Sequence, residues 1–144
     1  MPIEGRLTSV LAPVLGATLL LCSSATQAQT IQIRVLNARN GKRVPNEKVS
    51  LLIKGQRDAW EYKTDSLGDV TVNVTRDAAV FAATEWWVTC RRVTPGVVPF
   101  VPVKAILDVG FTAENTCGQA KSETIKGKYV IFARKPTFFE EFSK

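Results

Sequence analysis

The residues of this chain that could do chemistry are three close pairs of carboxylates. They are Asp58 with Glu61, Asp65 with Asp69, and Glu140 with Glu141. Two facing carboxylates can act as acid and base in glycoside hydrolysis, and an Asp-rich loop can hold calcium. The first two pairs stand at predicted turns, where Asp bonds to the local backbone, and the third stands in a helix-capping sequence. We therefore expect structural roles for all three pairs.

Most other catalytic chemistry is excluded by composition, because the chain contains no histidine. Its absence removes the Ser-His-Asp arrangement, His-activated nucleophiles and almost every zinc site. The chain also lacks G-x-S-x-G, S-x-x-K, a phosphate-binding glycine loop and G-x-G-x-x-G. We expect no catalytic residues, cofactor or metal, and predict that the protein is not an enzyme.

One aromatic segment is a candidate binding surface. In an extended segment Trp86, Val88 and Cys90 share one face, and Trp87 and Thr89 share the other. The alternation predicts that one tryptophan is buried beside a disulfide while its neighbour is displayed. An exposed Trp87 beside Arg91 would suit a sugar ring or a partner protein. The alternative, which large aromatic residues favour, is a strand buried on both faces.

Three alternating segments position these residues. Ile31 to Val35, Val49 to Ile53 and Val70 to Val74 each place apolar side chains at every second position, which is typical of strands with one buried face. Asn40-Gly41 joins the first two segments, and a turn at residues 65–68 leads into the third. The pattern predicts an antiparallel β-sandwich of about seven strands.

The second half of the chain is less regular. Prolines interrupt the residues after Thr94, and residues 103–109 fit either one or two turns of helix or a short strand. Residues 129–133 form a predicted final strand that is apolar on both faces and therefore central or covered. Thr137 and Glu140 have capping-box spacing, so we expect a short C-terminal helical tail. Phe138 and Phe142 would share one face of it. Most such tails cover an apolar edge, a minority dock on a partner or membrane, and the sequence leaves the two open.

The N-terminal residues are predicted to be a secretory signal peptide, residues 1–28. A positive charge at Arg6 precedes an apolar run from Val10 to Cys22, and small residues follow. Retention as a membrane anchor is the alternative, but the run is shorter than the ~20 residues that span a bilayer. We expect a periplasmic or secreted protein, cleaved after Ala28. Residues 29–144 then form a single domain.

Two cysteines remain after that cleavage, Cys90 and Cys117. In an oxidising compartment an even pair is expected to form a disulfide. The spacing does not match CxxC, so a redox or metal pair is the weaker alternative. Closing this loop would stabilise the fold by about 3 to 4 kcal/mol in the chain-entropy model.

The charge of the chain is basic, with 19 Lys and Arg against 13 Asp and Glu and a net charge of +6. Loss of residues 1–28 removes one charge of each sign and leaves this balance unchanged. The cations are spread along the sequence or occur in pairs without interleaved aromatics, so nucleic-acid binding is not expected. Anionic polymer or lipid remains an alternative partner.

One set of residues resembles a known family. The first half of the predicted domain, residues 29–90, is similar to the carboxypeptidase regulatory-like domains, which belong to the transthyretin-like β-sandwiches of secreted bacterial proteins. The resemblance implies a non-catalytic accessory or binding module, and residues 91–144 form a disulfide-linked extension outside it. It rests on Ile31, Ile33, Val35, Asn37, Gly41, Val44, Pro45, Val49, Leu51, Thr64, Asp65, Gly68, Val70 and Val72.

The sequence therefore predicts an exported, non-catalytic module that binds protein or glycan at the cell envelope. One alternative is a small carboxylate-dependent hydrolase acting through Asp65 and Asp69. The other is a basic module that binds anionic polymer or lipid. Salt distinguishes the last of these, because binding through charge falls steeply as salt is added.

Overall fold

The alternating segments form strands, and two sheets face each other. The structure is a computed structural model that describes residues 27–143. Of the predicted signal peptide, residues 1–28, all but the last two residues lie outside the described part. Within residues 27–143 the strands are β1 Ala28–Asn37, β2 Lys48–Ile53, β3 Trp60–Lys63, β4 Asp69–Thr75, β5 Ala79–Thr84, β6 Val88–Thr89, β7 Val101–Pro102, β8 Phe111–Thr112 and β9 Lys128–Arg134, with helices α1 Val103–Asp108 and α2 Phe138–Glu141.

The first sheet has the order β4-β1-β9-β6, with β8 also paired to β9, and the second has the order β3-β2-β5-β7. One apolar core lies between them and takes residues from both sheets, such as Ile33 and Val72 from the first and Leu51 and Val80 from the second. Each of these side chains sits at an alternate position of its strand, as the period of two requires. The prediction of a β-sandwich-like fold with little helix is confirmed.

The pairing of the strands differs from the prediction in two respects. β1 and β2 lie in different sheets, so the Asn40-Gly41 turn closes only an isolated bridge between Leu36 and Arg43 before the chain crosses over. β9 also runs parallel to both β1 and β8, so the first sheet is mixed rather than antiparallel. Parallel neighbours need a long crossover, and here the connection to β9 contains α1.

The predicted final strand, β9, is central and covered on both faces, as expected. Tyr129, Ile131 and Ala133 belong to the main core. Val130 and Phe132 point the other way, into a second, smaller apolar cluster. Both faces of this strand are therefore buried, which explains why apolar residues occupy successive positions instead of alternating with polar ones.

Residues 103–109, which the sequence left open, form a helix with Val103 and Ile106 buried. The helix ends at Asp108, and Gly110 follows the C-cap residue Val109 with a φ of 94° and an amide that donates to the Ala105 carbonyl. A Cβ at Gly110 would overlap the backbone carbonyl of Ile125. Only glycine therefore fits this helix end.

Candidate binding surfaces

The two tryptophans of the aromatic segment are placed opposite to the prediction. Residues 85–87 form a bend between β5 and β6, so period-two alternation does not hold across them. Trp86 is 51% exposed. Trp87 is partly buried and packs against the main core. The expectation of a displayed Trp87 is therefore wrong, and the exposed ring in this segment is that of Trp86.

A buried carboxylate holds this bend in place. Glu47 is 2% exposed, and its Oε1 accepts hydrogen bonds from the backbone amides of Trp86 at 2.8 Å and Trp87 at 3.0 Å. The amide of Glu47 donates to the hydroxyl of Thr64, which in turn donates to the carbonyl of Val44. No sequence pattern indicates this role, because the acceptor and the amides are about forty residues apart.

The exposed ring of Trp86 borders a shallow cavity of about 390 Å³. The ammonium of Lys63 lies 5.5 Å from the centroid of the Trp86 ring. The ammonium of Lys48 lies 2.9 Å from a carboxylate oxygen of Glu61 and 3.0 Å from one of Glu85, and these hydrogen bonds, that to Glu61 first, raise its pKa. We call the lining residues the Trp86 platform: Lys48, Glu61, Tyr62, Lys63 and Trp86.

Arg91, the other predicted surface residue, is engaged within the fold. Its guanidinium donates to the Ala82 carbonyl at 3.4 Å and to the Tyr129 hydroxyl at 3.3 Å, and lies 4.6 Å from the centroid of the Phe81 ring. Tyr129 is fully buried, so this contact joins the guanidinium to the core. Within residues 27–143 no hydrogen bond or ring contact links Trp87 to Arg91. The two residues do not form a displayed pair.

The carboxylates of the Asp65–Asp69 turn are used by the fold. Asp65 Oδ1 accepts hydrogen bonds from the amides of Leu67 at 2.8 Å and Asp69 at 3.0 Å, which is the turn role expected. Asp69 forms a two-pronged ion pair with Arg34, at 2.7 and 3.0 Å. Burial acts to raise the pKa of Asp69, but the hydrogen bonds and charge of Arg34 outweigh it and hold that pKa below its ordinary value.

The predicted disulfide between Cys90 and Cys117 is confirmed, with the Cα atoms 5.4 Å apart. It ties the loop after β8 to the outer face of the first sheet. Cys90 lies in the second apolar cluster with Leu36 and Phe132, and Cys117 packs against it. The disulfide therefore covers the face of β9 that the second sheet does not.

The short C-terminal helix is present, but it does not cover an apolar edge. Phe138, Phe139 and Phe142 are 69%, 83% and 75% exposed. The centroids of the Phe138 and Phe142 rings are 4.7 Å apart, and those of Phe138 and Phe139 are 6.0 Å apart. We call these three residues the aromatic cluster. The sequence left open whether the tail covers an apolar edge, and the exposure of these rings shows that it does not.

The helix is fixed at its start by one ion pair. The Glu140 carboxylate accepts hydrogen bonds from Arg134 at 2.7 and 2.8 Å and from the Thr137 amide at 2.7 Å. These bonds, those from Arg134 first, lower the pKa of Glu140 to about 2. Beside this ion pair lies a cleft of about 520 Å³, which we call the basic cleft, lined by Asn37, Arg39, Arg134, Lys135, Pro136 and Thr137.

Within residues 27–143 no group of three or more Cys, Asp and Glu side chains is arranged to hold a metal ion. The same part of the chain contains no helix with the length and apolar character needed to cross a membrane. The fold and these surfaces define a two-sheet β protein with one disulfide and two exposed aromatic surfaces. Comparison with models of protein families, with curated proteins and with solved structures finds no match to this chain.

Proposed function

We propose that this chain is an exported, non-catalytic β-sandwich module that binds glycan at the cell envelope through the Trp86 platform. The observation that carries the proposal is the half-exposed indole of Trp86 on a bend that a buried carboxylate fixes from below. The proposal keeps residues 29–90 as a carboxypeptidase regulatory-like domain of the transthyretin-like type. The Cys90–Cys117 disulfide supports an oxidising, extracytoplasmic compartment.

The chemistry of the platform favours a sugar over a flat protein surface. An indole face offers a flat apolar area to the C–H side of a sugar ring, and the surrounding ammonium and carboxylate groups can donate to and accept from its hydroxyls. Lys63, whose ammonium lies over the Trp86 ring, supplies one of these groups, and Lys48 and Glu61 in the same cavity supply others. A cavity of about 390 Å³ is within the size range of small-ligand sites.

The platform is also held rigidly, which favours binding. The two amide bonds to Glu47 fix the backbone of the bend, and the Lys48 ammonium holds Glu61 and Glu85 in place from one point. A backbone that is already ordered loses little conformational freedom when a ligand binds beside it.

The hydrolase alternative has less support. Asp65 faces the amides of its own turn, and Asp69 faces Arg34. Both carboxylates are therefore engaged in bonds within the fold, and the lowered pKa of Asp69 makes it unsuited to be an acid that must donate a proton. A D65N/D69N variant that remains folded is expected to bind glycan as the wild type does.

The test is glycan binding by W86A against a matched control, W60A. Trp60 is 41% exposed on β3, so both substitutions remove a displayed indole without emptying the core. The probes are insoluble peptidoglycan and soluble envelope polysaccharides, followed by co-sedimentation and by quenching of tryptophan fluorescence. Removing a dominant aromatic contact should weaken binding about 30-fold, or about 2 kcal/mol.

The control variant W60A should bind like the wild type, and added salt should change the affinity little. Each ring is about half covered, so the two variants should unfold at similar temperatures, somewhat below that of the wild type. Equal affinity of W86A and wild type for every glycan that the wild type binds would contradict the proposal. So would a wild-type protein that binds none of these glycans.

A further inference from the structure

The C-terminal end of the domain combines an exposed aromatic cluster with a basic cleft. We propose that this face binds the surface of an anionic lipid bilayer. The rings of Phe138, Phe139 and Phe142 enter the boundary between headgroups and acyl chains, while Arg39 and Lys135 meet anionic headgroups. This surface is separate from the Trp86 platform and does not depend on glycan binding.

The aromatic cluster is the first observation. All three rings are more than two thirds exposed, and none of the residues of α2 is buried. The rings contact one another, at centroid distances of 4.7 and 6.0 Å. Exposed phenylalanines gathered in one place are costly in water, and such patches mark interaction sites.

The cluster is held in a defined position, which separates it from a trailing chain end. Arg134 belongs to the central strand β9, and its guanidinium binds Glu140 through two hydrogen bonds. The Thr137 amide binds the same carboxylate. The ion pair also neutralises a carboxylate that would otherwise repel anionic headgroups, which leaves Glu141 as the exposed acid of the helix.

The basic cleft is the second, independent observation. Arg39 and Lys135 are exposed, and within residues 27–143 neither has a carboxylate within ion-pair distance. Lys135 rests near the Trp87 ring, 5.8 Å from its centroid, with its charge unneutralised. The net charge of the whole chain, +6, has the same sign. Cations beside membrane-inserting aromatics are the combination that anionic bilayers bind.

The shape of the cluster favours a lipid surface over a protein groove. A helix that docks in a groove presents a stripe of anchors over two or more turns. α2 spans only Phe138–Glu141, with the third ring at the residue that follows it. Three rings over little more than one turn form a compact apolar cluster. Insertion of these rings and attraction of the two cations to headgroups are two weak contributions that together produce membrane binding.

The test is co-sedimentation with vesicles of phosphatidylcholine, with and without phosphatidylglycerol. All proteins are full-length and share the same N-terminal residues, so any effect of residues 1–26 is common to all of them. The variants are F138S/F139S/F142S and R39E/K135E. Their matched controls are V97S/V98S, which replaces two exposed apolar residues in a loop, and K104E/K126E, which reverses two exposed lysines near the opposite end of β9.

The wild type should bind vesicles that contain phosphatidylglycerol, and added salt should weaken this binding. The phenylalanine variant should lose about tenfold or more in partitioning to them. The charge variant should lose the preference for phosphatidylglycerol, by about tenfold. Both controls and W86A should bind like the wild type, so the outcome is independent of the glycan proposal.

Failure of the wild-type protein to bind vesicles that contain phosphatidylglycerol would overturn the inference. A partner protein would then be the candidate that binds the aromatic cluster. Undiminished binding by the phenylalanine variant would overturn the inference equally. A loss in the control variants as large as that in the test variants would show only a general charge or surface effect, and would also reject this face as the binding site.

Discussion

Removal of the Glu47 carboxylate should loosen the bend that displays Trp86 and destabilise the whole domain. Glu47 is 2% exposed, and its Oε1 accepts the amides of Trp86 and Trp87 at 2.8 and 3.0 Å. An E47A variant leaves both amides without this acceptor. E47Q keeps a carbonyl oxygen in nearly the same place but removes the charge.

The size of the effect follows from these two bonds. A hydrogen bond to an ionised group contributes about 1.5 to 3 kcal/mol, and water can replace the carboxylate at the amide nearer the surface. E47A should therefore lose about 3 kcal/mol of unfolding free energy, which lowers Tm by roughly 10 °C in a domain of this size. E47Q should lose about 1.5 kcal/mol, because neutral hydrogen bonds are about half as strong.

Urea unfolding followed by tryptophan fluorescence measures these values, with E123A as the control for loss of an exposed carboxylate. The control should stay within about 0.5 kcal/mol of the wild type. E47A should also weaken glycan binding although every side chain of the Trp86 platform remains. An E47A variant as stable as E123A would refute the assignment of Glu47 as the anchor of the bend.

Two further predictions concern the C-terminal half. The C90S/C117S variant should lose about 3 to 4 kcal/mol of unfolding free energy in urea and bind more of a hydrophobic dye, because the loop that covers the outer face of β9 is released; equal stability of this variant and the wild type would contradict it. Glu140 has a pKa lowered from 4.5 to about 2, so the attachment of α2 should be complete above pH 4.5 and be lost as pH falls through about 2. The Thr137 amide resonance measures this transition, and E140Q should abolish it; a midpoint near 4.5 would show that the ion pair is absent in solution.

The sequence predicted which side chains are buried more reliably than it predicted which strands lie next to each other. The alternating residues of β1 face the core as predicted: Ile31, Ile33 and Val35. The strand β9, which is apolar on both faces, is also covered on both faces. Alternation identifies the face to which a side chain belongs, but it does not identify the neighbouring strand. The crossing of the chain between β1 and β2 and the parallel pairing of β1 with β9 were therefore not predictable from it.

The candidate surface shows the same limit at the level of single residues. The sequence indicated that one of two adjacent tryptophans is displayed, and assigned exposure to Trp87 on the assumption of an extended backbone. The bend at residues 85–87 reverses that assignment, and the bend depends on Glu47, which lies far away in sequence. The position of the phenylalanines likewise involves the Arg134–Glu140 ion pair, which ties α2 to the end of β9.

Local chemistry, taken alone, determined that this chain builds sheets, that its two later cysteines can be joined, and that it has no histidine to offer. These properties depend on residue type and on near neighbours in the chain. The tertiary structure decided which sheet each strand enters, which tryptophan meets solvent, and where the phenylalanines and free cations come together. Those outcomes depend on contacts between residues that are tens of positions apart in the sequence. The spacing of neighbouring residues does not predict such contacts.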